Sequence, residues 1–256
     1  MPANDLVLLE RTVREAGTIA RAIYDSPHKT WAKKDGSPVT EADIAVNKFL
    51  GETLRPARPD YAWLSEESED DAARLKARRV FVVDPIDGTL AFVKRRPHFT
   101  ISVGIVAGNE AVAGVVLNPI TGECWSAAKG EGARLNGTPI HVSDRKEVEG
   151  CRLLASVATL RSARWQPWPK MYVEVPNSIA YRVALVADGR FDGAITMAGT
   201  HDWDLAAADV IIREAGGVIT SIEGASPQYN RAAVAQPSVL AAGPALHAAL
   251  RARLVG

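Results

Sequence analysis

Leu6, Leu9, Val13, Ala16, Ala20 and Ile23 recur at helical spacing and predict an amphipathic helix from about Asp5 to Tyr24. A polar stretch follows, Lys33-Lys34-Asp35-Gly36-Ser37-Pro38, which reads as a loop. Thr40-Glu41-Ala42-Asp43 then carries a helix-start signal with Thr40 as N-cap. That helix is expected to run to about Leu54 with Val46, Leu50 and Leu54 inward, and to be ended by Pro56 and Pro59.

Beyond this point the period changes. Tyr61 to Leu64 and Val80-Phe81-Val82-Val83 read as short buried strands. Phe99 to Val106 alternates, Gly108-Asn109 turns, and Ala111 to Leu117 returns, with Glu123–Ala128 and Ala133–Leu135 continuing an antiparallel set. After Cys151, strands at Leu153–Ser156, Phe191–Met197, Val218–Ile222 and Val239–Ala242 are interleaved with helices near Ser178–Ala187, Trp203–Ala215 and Ala245–Leu254. Gly216-Gly217 closes the second of these helices as a C-terminal glycine cap does. The mixture predicts an α+β chain in which two sheets are layered with helices. We expect one catalytic domain over 1–256, built of two halves near 1–148 and 149–256.

Composition narrows the function classes. Lysine plus arginine equals aspartate plus glutamate, which argues against polymeric nucleic acid or a membrane surface as partner. Cys124 and Cys151 have no metal-ligand spacing and read as reduced, buried small hydrophobes. The first residues lack a signal-peptide pattern, and no apolar stretch reaches the roughly 18 residues of a membrane span, so a cytoplasmic protein is expected.

Chemistry concentrates at Asp84-Pro85-Ile86-Asp87-Gly88-Thr89, directly after the strand that ends at Val83. Ligands of α/β folds bind where strands open into loops. Two carboxylates that close repel each other unless a cation lies between them, and a hard cation such as Mg²⁺ suits oxygen ligands. Gly88 allows a tight turn, and its amide and that of Thr89 can face a phosphate. The competing reading of Asp-Gly is an ordinary hairpin turn. Three more acidic groups stand at element boundaries: Asp43, Glu66-Glu67 and Asp202/Asp204. Asp43 and Asp204 also make sense as helix N-terminal charges, and the run from Glu66 to Asp71 as a solvated face.

At these residues the chain resembles the inositol monophosphatase superfamily of Mg²⁺-dependent, lithium-sensitive phosphatases. The resemblance rests on Lys34 to Asp43, Ser65-Glu66-Glu67-Ser68, Asp84 to Thr89, and Trp203-Asp204-Leu205-Ala206-Ala207-Ala208 with Glu214-Ala215-Gly216-Gly217. These pieces come in the family's order and span most of the chain. The resemblance implies the layered αβαβα sugar-phosphatase fold, two mixed or antiparallel sheets sandwiched between helix pairs. It also implies that Glu66, Asp84, Asp87, Asp204 and the Ile86 carbonyl bind two or three Mg²⁺ ions. It further implies that Asp43 and Thr89 position and deprotonate the attacking water, with Glu66 serving the catalytic metal, and that the Gly88 and Thr89 amides hold the phosphate at the start of a short helix.

The chain departs from the family pattern at Ala91, at Asn177-Ser178, and in the aromatic and basic segment holding Arg161, Arg164, Trp165, Trp168 and Lys170. These departures bear on substrate rather than on metal chemistry. Phe92 to Thr100, with Lys94-Arg95-Arg96, resembles the 3′(2′),5′-bisphosphate nucleotidase branch. Adenosine 3′,5′-bisphosphate is therefore the first expected substrate, with Trp165 and Trp168 able to stack a purine. Inositol 1-phosphate, then histidinol phosphate, are the alternatives, and a regulatory protein-binding role on the same fold is the reading from another class. Lys94, Ser178 and His201 are candidate substrate contacts, and a homodimer is possible within the family.

Overall fold

The computed structural model describes residues 2–34, 36–161, 166–197 and 199–255. Helix α1 (Pro2–Tyr24) leads into a small antiparallel hairpin, β1 (Thr30–Ala32) with β2 (Pro38–Thr40), and then α2 (Glu41–Ala57). The expected loop is the turn of this hairpin, closed by the Lys33 amide donating to the Ser37 carbonyl at 2.8 Å, and the two flanking strands are the new feature. The strands are three residues long, β1 exposed throughout and β2 buried only at Thr40, so no apolar alternation announced them. Pro56 does not end α2 but lies in its last turn, and the chain leaves the helix after Ala57. Pro56 has no N–H to give the Glu52 carbonyl four residues back, so it weakens only the last turn, and the helix stops one residue later.

A seven-stranded sheet follows. It comprises β3 (Ala62–Ser65), β4 (Arg79–Asp87), β5 (Thr100–Ala107), β6 (Glu110–Leu117), β7 (Cys124–Ala128), β8 (Ala133–Leu135) and β9 (Thr138–Pro139), paired in that order. Only β3 and β4 run parallel; every later pair is antiparallel. A short helix α3 (Thr89–Val93) sits between β4 and β5. The second half supplies β10 (Arg152–Ala155), α4 (Val157–Arg161), β11 (Tyr172–Glu174), α5 (Ile179–Ala187), β12 (Gly193–Thr196), β13 (Thr200–His201) and α6 (Asp202–Glu214). It closes with β14 (Val218–Thr220), β15 (Ala235–Gln236), β16 (Val239–Ala242) and α7 (Pro244–Val255). Five of these strands form a mixed sheet in the order β11-β10-β12-β16-β14.

Strand alternation assigns the layers. Phe81 and Val83 face one side of β4 and join Val13, Val46 and Leu50 in the cluster under α1 and α2. Val80 and Val82 face the other side, where they meet the cluster of α5 and α6. A third cluster lies between the smaller sheet and α7, and Leu160 of α4 packs against it. The order is thus α1/α2, large sheet, α5/α6, small sheet, α7, the layered α+β arrangement expected.

The run Ala206-Ala207-Ala208 has a role in this stacking. A Cβ on Gly114 of β6 would lie 2.5 Å from the Ala207 Cα, and one on Gly104 of β5 would lie 3.0 Å from the Ala206 Cβ. Glycine on the sheet and alanine on the helix let the two backbones approach closely. This sets how far the N-terminus of α6 stands from β4, and so where Asp204 is carried.

Candidate functional site

Strand β4 keeps its register with β5 up to Asp84 opposite Ser102 and resumes at Asp87 opposite Thr100. Between them the ladder is broken, as a proline without an N–H requires of a strand with partners. The break turns both carboxylates toward the loop end of the sheet. Asp84 Oδ1 accepts from the Ile86 amide at 3.0 Å. Gly88 follows with φ +95°, and an added Cβ would meet the His98 carbonyl at 3.0 Å and the Ser178 amide at 3.1 Å. Glycine is required there on both counts.

Helix α6 begins with a reciprocal cap in which Asp204 Oδ2 accepts from the His201 amide at 2.6 Å. Its carboxylate thereby stands near the other two. One oxygen each from Asp84, Asp87 and Asp204 lie within 4.8 Å of one another, and all three residues are buried. Among the described residues no lysine or arginine lies within ion-pair distance of these carboxylates. Burial, followed by the fields of Glu66 and Asp87, pushes the Asp84 carboxyl well above the usual range. Burial and the field of Asp204 push Asp87 up to about 7, against the pull of its hydrogen bonds. Three buried carboxylates gathered at one point, with Asp84 and Asp87 both raised, fit a hard divalent cation coordinated by oxygen.

Asp87 is held by the second half of the chain. It accepts from the Ser178 hydroxyl at 2.5 Å and from the amides of Ile179 at 3.1 Å and Ala180 at 2.7 Å, at the N-terminus of α5. Ser178 is itself the N-cap, accepting from the Tyr181 amide, and its hydroxyl also lies 3.0 Å from that of Thr100. The residue is fully buried, with its hydroxyl committed to these partners. The sequence places Ser178 at the first position of the expected helix; the structure makes it the cap, and the helix begins one residue later.

Asp43 sits in a capping box on α2, accepting from the Thr40 amide at 2.7 Å and the Thr40 hydroxyl at 2.6 Å. Burial raises its pKa, opposed by the Thr40 and Thr89 hydrogen bonds. The Thr89 hydroxyl bridges Asp43 Oδ1 at 3.2 Å and the Ile86 carbonyl at 3.0 Å. The pair assigned to the water by resemblance is therefore in contact.

Glu66 lies outside the tight carboxylate triad. Its Oε1 is 2.6 Å from the Lys33 ammonium, which also reaches Glu67 Oε1 at 2.5 Å. Burial disfavours the Lys33 charge, but hydrogen bonds to Glu66 and Glu67 outweigh it and raise the pKa. The hairpin of β1 and β2 is thereby clipped to the site, a contact the polar run around Lys33 did not disclose. The last two acids of the run have local work. Asp70 pairs with Arg74, and Asp71 caps a short 3-10 helix, Ala72–Lys76. Asp202 faces away from the triad and accepts from the Asn230 amide and the Gln236 side chain.

Of the expected substrate contacts, His201 is half-exposed beside Asp204 and stacks on Trp203 at 4.8 Å between ring centroids. The Asp204 hydrogen bond raises its pKa. Lys94 is the exposed C-cap of α3, at the far end of that helix from Gly88. Arg95 folds back to donate to the Ser26 carbonyl at 2.7 Å over the Tyr24 ring. Trp168 packs against the cluster of the small sheet with Arg253 over its ring. Arg164 and Trp165 lie outside the described residues. Cys124 and Cys151 are buried free thiols, as expected. No helix among the described residues is long and apolar enough to cross a membrane.

The layered fold and its carboxylate centre define the class as a metal-dependent phosphatase. The sequence matches the inositol monophosphatase family over residues 4–255, and the chain belongs to that family. It is 30% identical over 226 residues to the Nus factor SuhB of Escherichia coli strain K12, covering 84% of each chain. It is also 30% identical over 237 residues to an inositol monophosphatase of Mesembryanthemum crystallinum, covering 88% of each. Among solved structures, the extragenic suppressor protein SuhB of Bartonella henselae superposes with a TM-score of 0.88 at 27% identity, covering 98% of both chains. The IMPase of Thermotoga maritima gives 0.84 at 27% identity, covering 100% of this chain and 97% of its own.

Proposed function

We propose that this protein hydrolyses a small phosphate monoester with water in a Mg²⁺-dependent reaction. The meeting of Asp84, Asp87 and Asp204, distant in the chain, buried and without a lysine or arginine partner among the described residues, carries the reading. In it, these three residues, Glu66 and the Ile86 carbonyl hold two or three ions. When bound, the ions neutralise phosphate charge and acidify water.

The chain's own groups do the rest. Asp43, fixed by Thr40, orients the attacking water and accepts its proton, and the Thr89 hydroxyl keeps Asp43 in place. Gly88 and Thr89 present amides to the phosphate at a turn where no larger side chain fits. Glu66 joins the set by giving up its ion pair with Lys33. Ser178 holds Asp87 from behind rather than touching substrate.

Adenosine 3′,5′-bisphosphate loses part of its support, since Arg95 and Trp168 are occupied internally. Inositol 1-phosphate and histidinol phosphate stand beside it. Phosphate release from the three esters with Mg²⁺, with and without chelator or lithium, tests the proposal. Metal-dependent release inhibited by lithium is expected; no release from any ester under saturating Mg²⁺ overturns it. The Nus factor relatives favour a second reading, a role through a protein partner. A cellular effect that survives in Asp204→Asn supports that role.

A further inference from the structure

Two arginines are buried among the described residues, Arg74 and Arg182. Arg74 has the partners its charge requires, Asp70 in a two-bond contact and Asn230. Arg182 does not. Its Nε donates to the Pro176 carbonyl at 2.7 Å and one terminal nitrogen donates to the Thr196 hydroxyl at 3.2 Å. Neither acceptor is charged. The other terminal nitrogen has no hydrogen bond, and no carboxylate lies within ion-pair distance, among the described residues. A guanidinium is always charged and carries five donors, and buried charges are as a rule paired. Burial acts against the Arg182 charge, and the one opposing field is that of Asp87.

The position of this arginine is informative. It lies two residues beyond Ala180, whose amide donates to Asp87, and four beyond Ser178, whose hydroxyl does the same. Helix side chains lean toward the N-terminus, which brings Arg182 back to the end of α5 that meets the carboxylate centre. Its partner Thr196 closes β12, just before the segment that leads to His201 and Asp204. Asp87 is already committed to three donors on α5, so it does not serve Arg182 as a paired carboxylate.

We propose that Arg182 makes this enzyme selective for phosphate esters whose leaving group carries a second anion, a carboxylate or a further phosphate. The free edge of the guanidinium takes that anion, while the phosphate to be removed occupies the turn at Gly88 and Thr89. Arginine suits this task because its planar donors match both carboxylate and phosphate oxygens. The inference rests on the phosphomonoesterase reading and deepens it by naming the substrate class. It separates neutral polyol esters from acidic ones.

Two matched pairs of esters test it. Glycerol 2-phosphate and 2-phosphoglycerate differ by a hydroxymethyl against a carboxylate. Adenosine 3′-monophosphate and adenosine 3′,5′-bisphosphate differ by the second phosphate. Wild-type enzyme with Mg²⁺ is expected to favour the acidic member of at least one pair by roughly tenfold or more in kcat/KM, the scale of a charged hydrogen bond, with the difference in KM. The pair that shows it identifies the anion. In Arg182→Gln the preference collapses toward unity, and Arg182→Lys keeps part of it. Equal use of both members of both pairs by the wild type overturns the proposal without any variant. So does a preference that persists in Arg182→Gln. Wild type that releases phosphate from neither member of either pair, nor from inositol 1-phosphate, overturns the phosphatase reading itself and this proposal with it.

Discussion

The Ser178 hydroxyl donates to Asp87 Oδ2 at 2.5 Å across 91 positions of sequence, and this bond joins the helix of one half to the acidic strand end of the other. Asp87 is the point where the large sheet meets the N-terminus of α5. Removing the hydroxyl in Ser178→Ala deletes both an N-cap and one of three donors on Asp87. The cap loss alone costs roughly 1 kcal/mol of stability. We expect a modest fall in melting temperature together with a severalfold rise in the Mg²⁺ concentration needed for half-maximal activity. Ser178→Thr, which keeps a hydroxyl, recovers part of both. An unchanged Mg²⁺ requirement in Ser178→Ala argues against the proposed support of Asp87.

Asp204→Asn removes one negative charge from the triad while preserving its shape. Activity is expected to fall by at least about a thousandfold, the scale on which metal-centred electrostatic stabilisation acts. The folded protein without metal becomes more stable, because two carboxylates repel less than three. Phosphate-release assays and thermal unfolding with chelator measure the two effects. Activity near that of wild type at saturating Mg²⁺ sinks the ligand assignment.

The pH dependence of the metal-free protein has a definite sign. Asp87 titrates near 7 in the fold, raised mainly by burial and Asp204, against an ordinary value of 3.8. Above 7 the carboxylate is charged in both folded and unfolded chains, and the fold bears the repulsion. As the pH falls through 7 the folded chain takes up a proton that the unfolded chain does not, so stability rises. Melting temperature in chelator is therefore expected to increase between pH 8 and 6.5, and saturating Mg²⁺ to remove the trend. Below 6.5 an opposite contribution enters, since burial holds the His247 ring neutral and lowers its pKa. A metal-free melting temperature that is flat or falls between pH 8 and 6.5 contradicts the prediction.

Gly114→Ala tests the seating of α6. The added methyl would lie 2.5 Å from the Ala207 Cα, backbone that cannot swing aside. Overpacking of this kind costs about 1–3 kcal/mol. The variant is expected to lose stability and also activity, because Asp204 rides on the helix that must move. Full activity at a temperature where the variant stays folded separates the packing of α6 from the position of Asp204.

Much of the fold was legible along the chain. The faces of α1 and α2, the alternation of β5 and β6, the Thr40 cap and the glycine stop after α6 are local patterns, and each appears within a few residues of its expected place. The strands of the β1–β2 hairpin were not legible, since three-residue strands with a single buried position between them leave no period. The acidic clusters were visible as types, but not their division of labour. Asp202 and Asp204 are two residues apart on one helix, and only one joins the triad.

Sequence alone determined the longer helices and strands, the acidic strand end and the glycine turn, because helix period, strand period and turn chemistry act over a few residues. Tertiary structure alone decided which carboxylates meet, that Lys33 pairs with Glu66 and Glu67, that Ser178 serves Asp87, and that Arg182 is buried without a carboxylate. Those relations join residues dozens of positions apart. They depend on the packing of β4, α5 and α6, through which charges distant in the chain share one low-dielectric site.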